Sequence, residues 1–471
     1  VNAAGETVAF AHAGRACLGV TVWMAVWWFT EALPIAATAM LPLVVYPLLQ
    51  IATPAATFLN YANGTIFLFL GGFLLAAAIH RWHLDRRIAL LTLTVFGTKP
   101  SQMVFGLMFA TAFLSAWVSN TATAAMMVPI AVAVMGVVRS TQESEVIGKD
   151  EHNFGVCILL AIAYGASIGG MATLIGSPPN GIFARFVEQT YHTPVTFLAW
   201  MKVALPVVVI MLPVTYLLLT KVLFRTNLSG IPGGREWVKR ELAKLGPMSK
   251  GEKVVLAVFL LAACLWIFGP VLRGLEIDGA KPLKFLSDEA IAMGAGLLLF
   301  MIPIDVRRGV HALDWSSAKD VVAWDVLLLF GGGLTMAAVI QSTGAAALVG
   351  AQAQLLAGTS EVVMMSGVAA LVTFATEVTS NTALAATMMP LIAAAAESLK
   401  IHPEGLLFVT AIAASCAFMM PVATPPNAIV FGTGRLKIGE MVRAGFFLNL
   451  IGVAVVVLCS MLFGGGLIPQ T

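Results

Sequence analysis

Apolar stretches separated by short polar connections run the length of the chain, and four of them are interrupted midway by small polar residues. Stretches 16–30, 34–50, 62–80, 198–222, 254–272, 288–303, 324–341 and 444–465 read as helices that cross a bilayer, which takes roughly 20 apolar residues. Stretches 101–138 and 362–399 are too long for one crossing at about 1.5 Å per residue. Each carries a triplet at its centre, Ser119-Asn120-Thr121 and Ser380-Asn381-Thr382, which predicts a re-entrant helical hairpin that turns at the triplet and returns. Stretches 154–195 and 405–434 contain Gly176-Ser177-Pro178-Pro179-Asn180 and Ala423-Thr424-Pro425-Pro426-Asn427. Proline removes a backbone donor and blocks helix continuation, so both are predicted as broken spanning helices.

The interruptions come in matching pairs. Residues 67–78, FLFLGGFLLAAA, also align with 327–338, LLLFGGGLTMAA. Two copies of one pattern follow, at about 15–224 and 254–466: a glycine-bearing span, a short polar stretch, the hairpin, the broken helix and a final span. Five crossings per copy turn the second copy upside down. With the first hairpin opening to the cytoplasm, segments 81–100, 139–153, 221–253, 304–323 and 435–443 are cytoplasmic and hold 20 of the 27 Lys and Arg. Arg15, Arg185, Lys202, Arg273, Lys281, Lys284 and Lys400 make up the rest. This is the positive-inside bias, and it is independent of the residues that mark the breaks. Paired interruptions in inverted halves are the sequence mark of a transporter's binding site, because irregular backbone at membrane depth survives only when buried or lining a cavity.

Composition agrees. Of 471 residues, 59% are hydrophobic and 11% charged, against roughly 25% charged in soluble domains, which excludes a soluble globule. The fold class is an all-α polytopic membrane protein with two inverted repeats. The chain begins with Val, shows no cleavable signal, and reads as trimmed at its N-terminus.

The four broken stretches contain no Lys or Arg near their breaks. An anionic cargo would therefore be held by helix N-termini, expected after Thr121, Asn180, Thr382 and Asn427, with Ser, Thr and Asn adding donors. Carbonyls freed at the same breaks suit a small hard cation such as Na⁺. Ser115 and Thr376 each lie four residues before the serine of their triplet, and Ser177 is matched by Thr424 in the second copy.

The twin triplets, the twin Pro-Pro-Asn motifs and the run WWFTEALP at 27–34 resemble the divalent anion/sodium symporter family over essentially the whole chain. The resemblance implies a homodimer in the inner cell membrane, with one more N-terminal span than is present. It implies a scaffold (1–100 and 254–358), an elevator-like transport domain (101–224 and 359–471) and a cytoplasmic linker (225–253). It implies uptake of a C4-dicarboxylate such as succinate, malate or fumarate with Na⁺; alternatives within the family are cation-independent exchange, or citrate or sulfate symport. Substrate contacts would come from both triplets, Ser177, Pro178, Thr424 and Pro425. One Na⁺ would use Ser115, Ser119, Asn120 and Gly176, and another Thr376, Thr379, Asn381 and Ala423.

Other features carry blander readings. The glycines at 71–72 and 331–333 read as close helix packing. Glu377 is an intramembrane carboxylate that could influence the second cation site or carry a proton. Glu31, at the turn between the first two spans, reads as interfacial and structural. Cys17, Cys157, Cys264, Cys416 and Cys459 read as small buried hydrophobes rather than a disulfide framework. No HExxH, no aspartate in the broken segments and no Ser–His pair in an apolar span argue against an intramembrane enzyme, and nothing points to a nucleic-acid partner.

Overall fold

In the computed structural model, residues 12–97, 99–139, 148–226, 228, 234–277 and 280–468 are described. The first copy contains α1 (His12–Thr30), α2 (Ile35–Ala39), α3 (Leu41–Leu48), α4 (Pro54–Leu59), α5 (Gly64–Arg81), α6 (Leu84–Phe96), α7 (Pro100–Ser115), α8 (Asn120–Arg139), α9 (Lys149–Gly170), α10 (Pro178–Tyr191) and α11 (Phe197–Leu217). After α12 (Gly234–Leu245), the second contains α13 (Lys250–Gly274), α14 (Asp288–Met301), a small hairpin of β1 (Pro303–Asp305) and β2 (Val310–His311), α15 (Trp315–Lys319) and α16 (Trp324–Ser342). It ends with α17 (Ala345–Ala353), α18 (Glu361–Ala375), α19 (Asn381–Leu399), α20 (Pro403–Ala413), α21 (Pro425–Phe431) and α22 (Ile438–Phe463). Among the described residues, eight helices are long and apolar enough to cross a membrane.

Both hairpins form. Pairs α7/α8 and α18/α19 turn within 116–119 and 376–380, and both Pro-Pro-Asn motifs open a new helix after a break. The predicted span 34–50 is instead two short helices, because prolines 34, 42 and 47 punctuate it. The linker 225–253, read as merely polar, holds the amphipathic helix α12 packed on α6. Part of that linker (227 and 229–233), part of the connection 139–153 (140–147) and the N-terminal residues 1–11 lie outside the described residues.

Side-chain contacts sort the connections onto two sides, as the charge count does. Arg87, with its side chain only 8% exposed, pairs with Glu252 at 2.5 Å and donates to the carbonyls of Leu245 and Gly246. Arg86 bonds Glu241, Arg81 pairs with Asp314, and the Trp82 indole donates to Ala312 O. Asp314 caps α15, and bonds from the Ser316 hydroxyl and the Ser317 N–H hold its carboxyl down at about 2. Asn153 donates to Arg225 O and His152 lies 2.6 Å from Glu440, so segments 139–153 and 435–443 share that side. Arg273 lies away from all of these, paired with Asp288, which also accepts from Phe197 N.

The glycine runs let helices touch. A Cβ on Gly71 would sit 2.4 Å from the backbone of Ala292 on α14, and one on Gly332 would sit 2.4 Å from Ala39 O on α2. Four of the cysteines are buried; Cys264, contrary to expectation, is exposed, on a face of α13 that also exposes Leu260, Leu261 and Phe268.

Candidate functional site

The second half of each broken helix crosses to the other copy: α10 packs on α19, and α21 packs on α8. That exchange brings all four breaks to one cavity of about 740 Å³. Every residue expected to contact substrate lines it: Ser119, Asn120, Thr121, Ser177, Pro178, Ser380, Asn381, Thr382, Thr424 and Pro425. Of the expected cation ligands, Gly176, Thr379 and Ala423 line the cavity too, whereas Ser115 and Thr376 lie fully buried one layer behind the triplets.

The helix N-termini differ from expectation. The new helices start at Asn120, Pro178, Asn381 and Pro425, not beyond the motifs. At α10 and α21 the first two positions are prolines, which have no N–H to offer. The next amide at α21, Asn427 N, is taken by the Thr424 hydroxyl, and Asn180 N reaches back to Ser177 O. Free donors therefore come from α8 and α19, whose first N–H groups have no intrahelical acceptor.

Asn180 and Asn427 do not face the cavity. Both are fully buried, and their amides donate backwards: Asn180 to the carbonyls of Gly170 and Thr173, Asn427 to those of Ala417 and Met420. The motif asparagine thus ties off carbonyls freed by its own break, at the same spacing in both copies.

Behind each triplet lies a cluster of oxygens. Ser115 Oγ is 2.6 Å from Asn120 Oδ1 and 2.7 Å from Ala166 O, and Asn120 Oδ1 faces only acceptors. With the amide turned over, its nitrogen would donate to Ser115 Oγ at 2.6 Å and to the carbonyls of Ala166 and Gly176 at 3.2 Å. In the second copy Thr376 Oγ1 is 2.6 Å from Asn381 Oδ1 and 3.0 Å from Ala414 O. One hydroxyl hydrogen cannot serve two acceptors fully, so with the oxygen facing inward each cluster has more lone pairs than protons. A small hard cation fits that deficit. The approach is tight: a Cβ on Gly170 would lie 2.4 Å from Asn120 Oδ1. Among the described residues no group of three or more His, Cys, Asp and Glu could hold a metal ion, and the oxygens of these two clusters are neutral.

Glu377, only 3% exposed, is an anchor for the second break. Its carboxylate accepts from the backbone N–H groups of Phe418, Met419 and Met420 and from the Asn449 amide, at 2.7–3.0 Å. In the first copy Ala116 takes its place, and the Thr173 hydroxyl bonds Ala116 O instead. The sequence marked Glu377 as buried and acidic but gave no sign of its donors, which lie 41 to 72 positions away in the chain.

The opposite wall comes from Phe29, Thr30 and Glu31 at the end of α1, from Phe69 and Phe73 on α5, and from Ala323, Asp325 and Val326 at the start of α16. Glu31, expected at the membrane interface, instead lines the cavity on a left-handed backbone (φ 48°). Asp325 carries no signal in the sequence, because it sits at a helix start outside every motif. Among the described residues, no Lys or Arg lines the cavity.

Set beside known proteins, residues 8–469 match the family described as the sodium:sulfate symporter transmembrane region. The chain is 40% identical to the sodium-dependent dicarboxylate transporter SdcS of Staphylococcus saprophyticus over 442 residues, covering 94% of this chain and 84% of that one. It is 41% identical to SdcS of Staphylococcus aureus strain USA300 over 443 residues, with the same coverage. Its fold is similar to that of the Alcanivorax borkumensis YdaH transporter, with a TM-score of 0.61 over 96% of this chain and 100% of that one; at 14% identity this is a likeness of fold alone. The chain is therefore an integral multi-pass membrane transporter, not an enzyme, and it belongs to the divalent anion/sodium symporter family.

Proposed function

We propose that this protein carries a C4-dicarboxylate such as succinate across the inner cell membrane together with Na⁺. The observation that carries the reading is the cavity itself. Four breaks meet in it, no basic side chain among the described residues lines it, and behind each triplet a Ser or Thr hydroxyl and the Asn side chain stand against a backbone carbonyl. The substrate's two carboxylates engage the Ser-Asn-Thr triplets, with Thr424 and the Ser177–Pro178 turn on either flank. One Na⁺ takes the cluster of Ser115, Asn120 and Gly176, with Ser119 nearby. A second takes Thr376, Asn381 and the backbone at Ala423, with Thr379 adding its hydroxyl. The sodium-dependent dicarboxylate transporters that resemble this chain support both cargo and ion.

Segments 101–224 and 359–471 move together as the transport domain against a scaffold of 1–100 and 254–358, within a homodimer. The interlocking of α10 with α19 and of α21 with α8 supports one mobile body built from both copies.

Purified protein in liposomes decides the matter. Labelled succinate should accumulate only with an inward Na⁺ gradient. Uptake that ignores Na⁺ and requires internal dicarboxylate would establish exchange instead, and stronger competition by citrate or sulfate than by malate would reassign the cargo.

A further inference from the structure

One buried contact joins the two copies at the level of the breaks. Ser177 Oγ and Ser415 Oγ lie 3.1 Å apart, with the residues 3% and 1% exposed. Ser177 directly follows Gly176, whose carbonyl faces Asn120 in the first oxygen cluster. Ser415 directly follows Ala414, whose carbonyl accepts from Thr376 in the second. A single hydrogen bond therefore connects two loops that each present a cluster oxygen one residue away. Under the repeat, the mate pair is Ser167, which follows Ala166 of the first cluster, and Thr424. That pair is open: Ser167 Oγ is buried without a partner, and the Thr424 hydroxyl caps its own helix. The connection is made on one side only, although Ala-Ser precedes the break in both copies.

We propose that Ser177 and Ser415 are positioning residues that couple the two cation sites, so that Na⁺ in one favours Na⁺ in the other. The inference rests on the Na⁺-coupled reading above. A cation entering the second cluster pulls on Ala414 O and so moves Ser415. The hydrogen bond carries that movement to Ser177. Pro178 and Pro179 have fixed φ, so the displacement passes back towards Gly176 rather than into α10. In a buried setting the bond has no water to replace it, which is what lets it transmit a preference.

The test is a Na⁺ titration of wild type, Ser415→Ala, Ser415→Thr and Ser167→Ala. It is read both by succinate uptake in liposomes and by the Na⁺-dependent rise in melting temperature of the purified protein. Wild type should respond cooperatively. Ser415→Ala should raise half-saturating Na⁺ about fivefold, the worth of one buried hydrogen bond, and bring the Hill coefficient towards one. Ser415→Thr, which keeps the hydroxyl, should retain most of the cooperativity. Ser167→Ala, equally buried but bonded to nothing, should titrate like wild type. If Ser415→Ala does not fold, Ser415→Cys, similar in size with a poorer hydrogen bond, is read for the same shift. A wild-type titration from folded Ser415→Ala, or from Ser415→Cys in its place, overturns the inference while leaving Na⁺ coupling standing, as does an equal shift from Ser167→Ala. Na⁺-independent uptake by wild type overturns both.

Discussion

Replacing Glu377 by glutamine tests how the second break is held. Three consecutive backbone N–H groups, from Phe418 to Met420, and the Asn449 amide all point at this one carboxylate. Glutamine keeps the shape and one oxygen but aims an NH₂ at one or more of those donors. Turning a charge-assisted bond into a neutral one loses roughly 1 kcal/mol, and a buried donor left facing a donor costs roughly 1–3 kcal/mol. The expected loss is about 2–4 kcal/mol, and Glu377→Ala, which removes both oxygens, should lose more. The assay is thermal melting in detergent, with and without Na⁺ and succinate. A chain of this size does not unfold in two states, so the midpoint is compared directly rather than converted into a free energy. Glu377→Gln should melt several degrees lower and lose most of the stabilisation that Na⁺ and succinate give, because the loop it fixes leads into Ala423 and Thr424. Glu404→Gln is the matched control. That carboxylate, equally buried, accepts from Gly466, Leu467 and Ile468 far from the cavity. It should lower the midpoint while leaving the ligand-induced rise intact. A Glu377→Gln protein that melts, binds and transports like wild type would refute the anchoring argument.

Three further predictions follow from the same geometry. Asn120→Ala and Asn381→Ala should each abolish succinate uptake with folding intact by size-exclusion chromatography, since each removes the amide shared by triplet and oxygen cluster; wild-type uptake by either would count against the site. Thr376→Ala should raise the half-saturating Na⁺ concentration more than it lowers maximal rate, by roughly three- to tenfold for one lost polar contact, and an unchanged Na⁺ titration would count against the second cation site. Arg87→Ala leaves Glu252 buried without its charge partner and should lower stability by about 3–5 kcal/mol, seen as a fall in melting temperature that the double change with Glu252→Leu largely reverses.

What the sequence made legible was local and repeated. Proline pairs and polar triplets inside apolar stretches announce broken backbone wherever they occur, and their recurrence places the breaks in register, so hairpins, broken helices and sidedness followed from the residues themselves. Features that depend on distant partners were not legible. The crossing of α10 and α21 to opposite hairpins is a tertiary event with no local signature, and it decides that Asn180 and Asn427 turn away from the cavity. Glu31 and Asp325 become cavity residues only because α1 and α16 end beside the breaks. Within α12, the apolar residues Trp237, Val238, Leu242 and Leu245 recur at helical spacing among charged ones, and that amphipathic pattern marks a helix inside an otherwise polar linker.

The charges around the cavity give the proposed Na⁺ coupling a physical reason. Among the described residues, two carboxylates, Glu31 and Asp325, line the wall, and no Lys or Arg does. The helices whose free N–H groups point inward, α8 and α19, each contribute an effective charge of about half a unit. That does not offset a dianion facing a wall that carries two further acidic groups. On the proposed reading, two cations behind the triplets make up the shortfall, so the loaded site approaches neutrality only when ions and substrate are present together. A lysine among the triplets would hold the anion without help and let it cross with no ion. On that reading, a cavity without basic side chains makes the cargo depend on its cations, and the copied Ser/Thr–Asn clusters are the two places proposed for them.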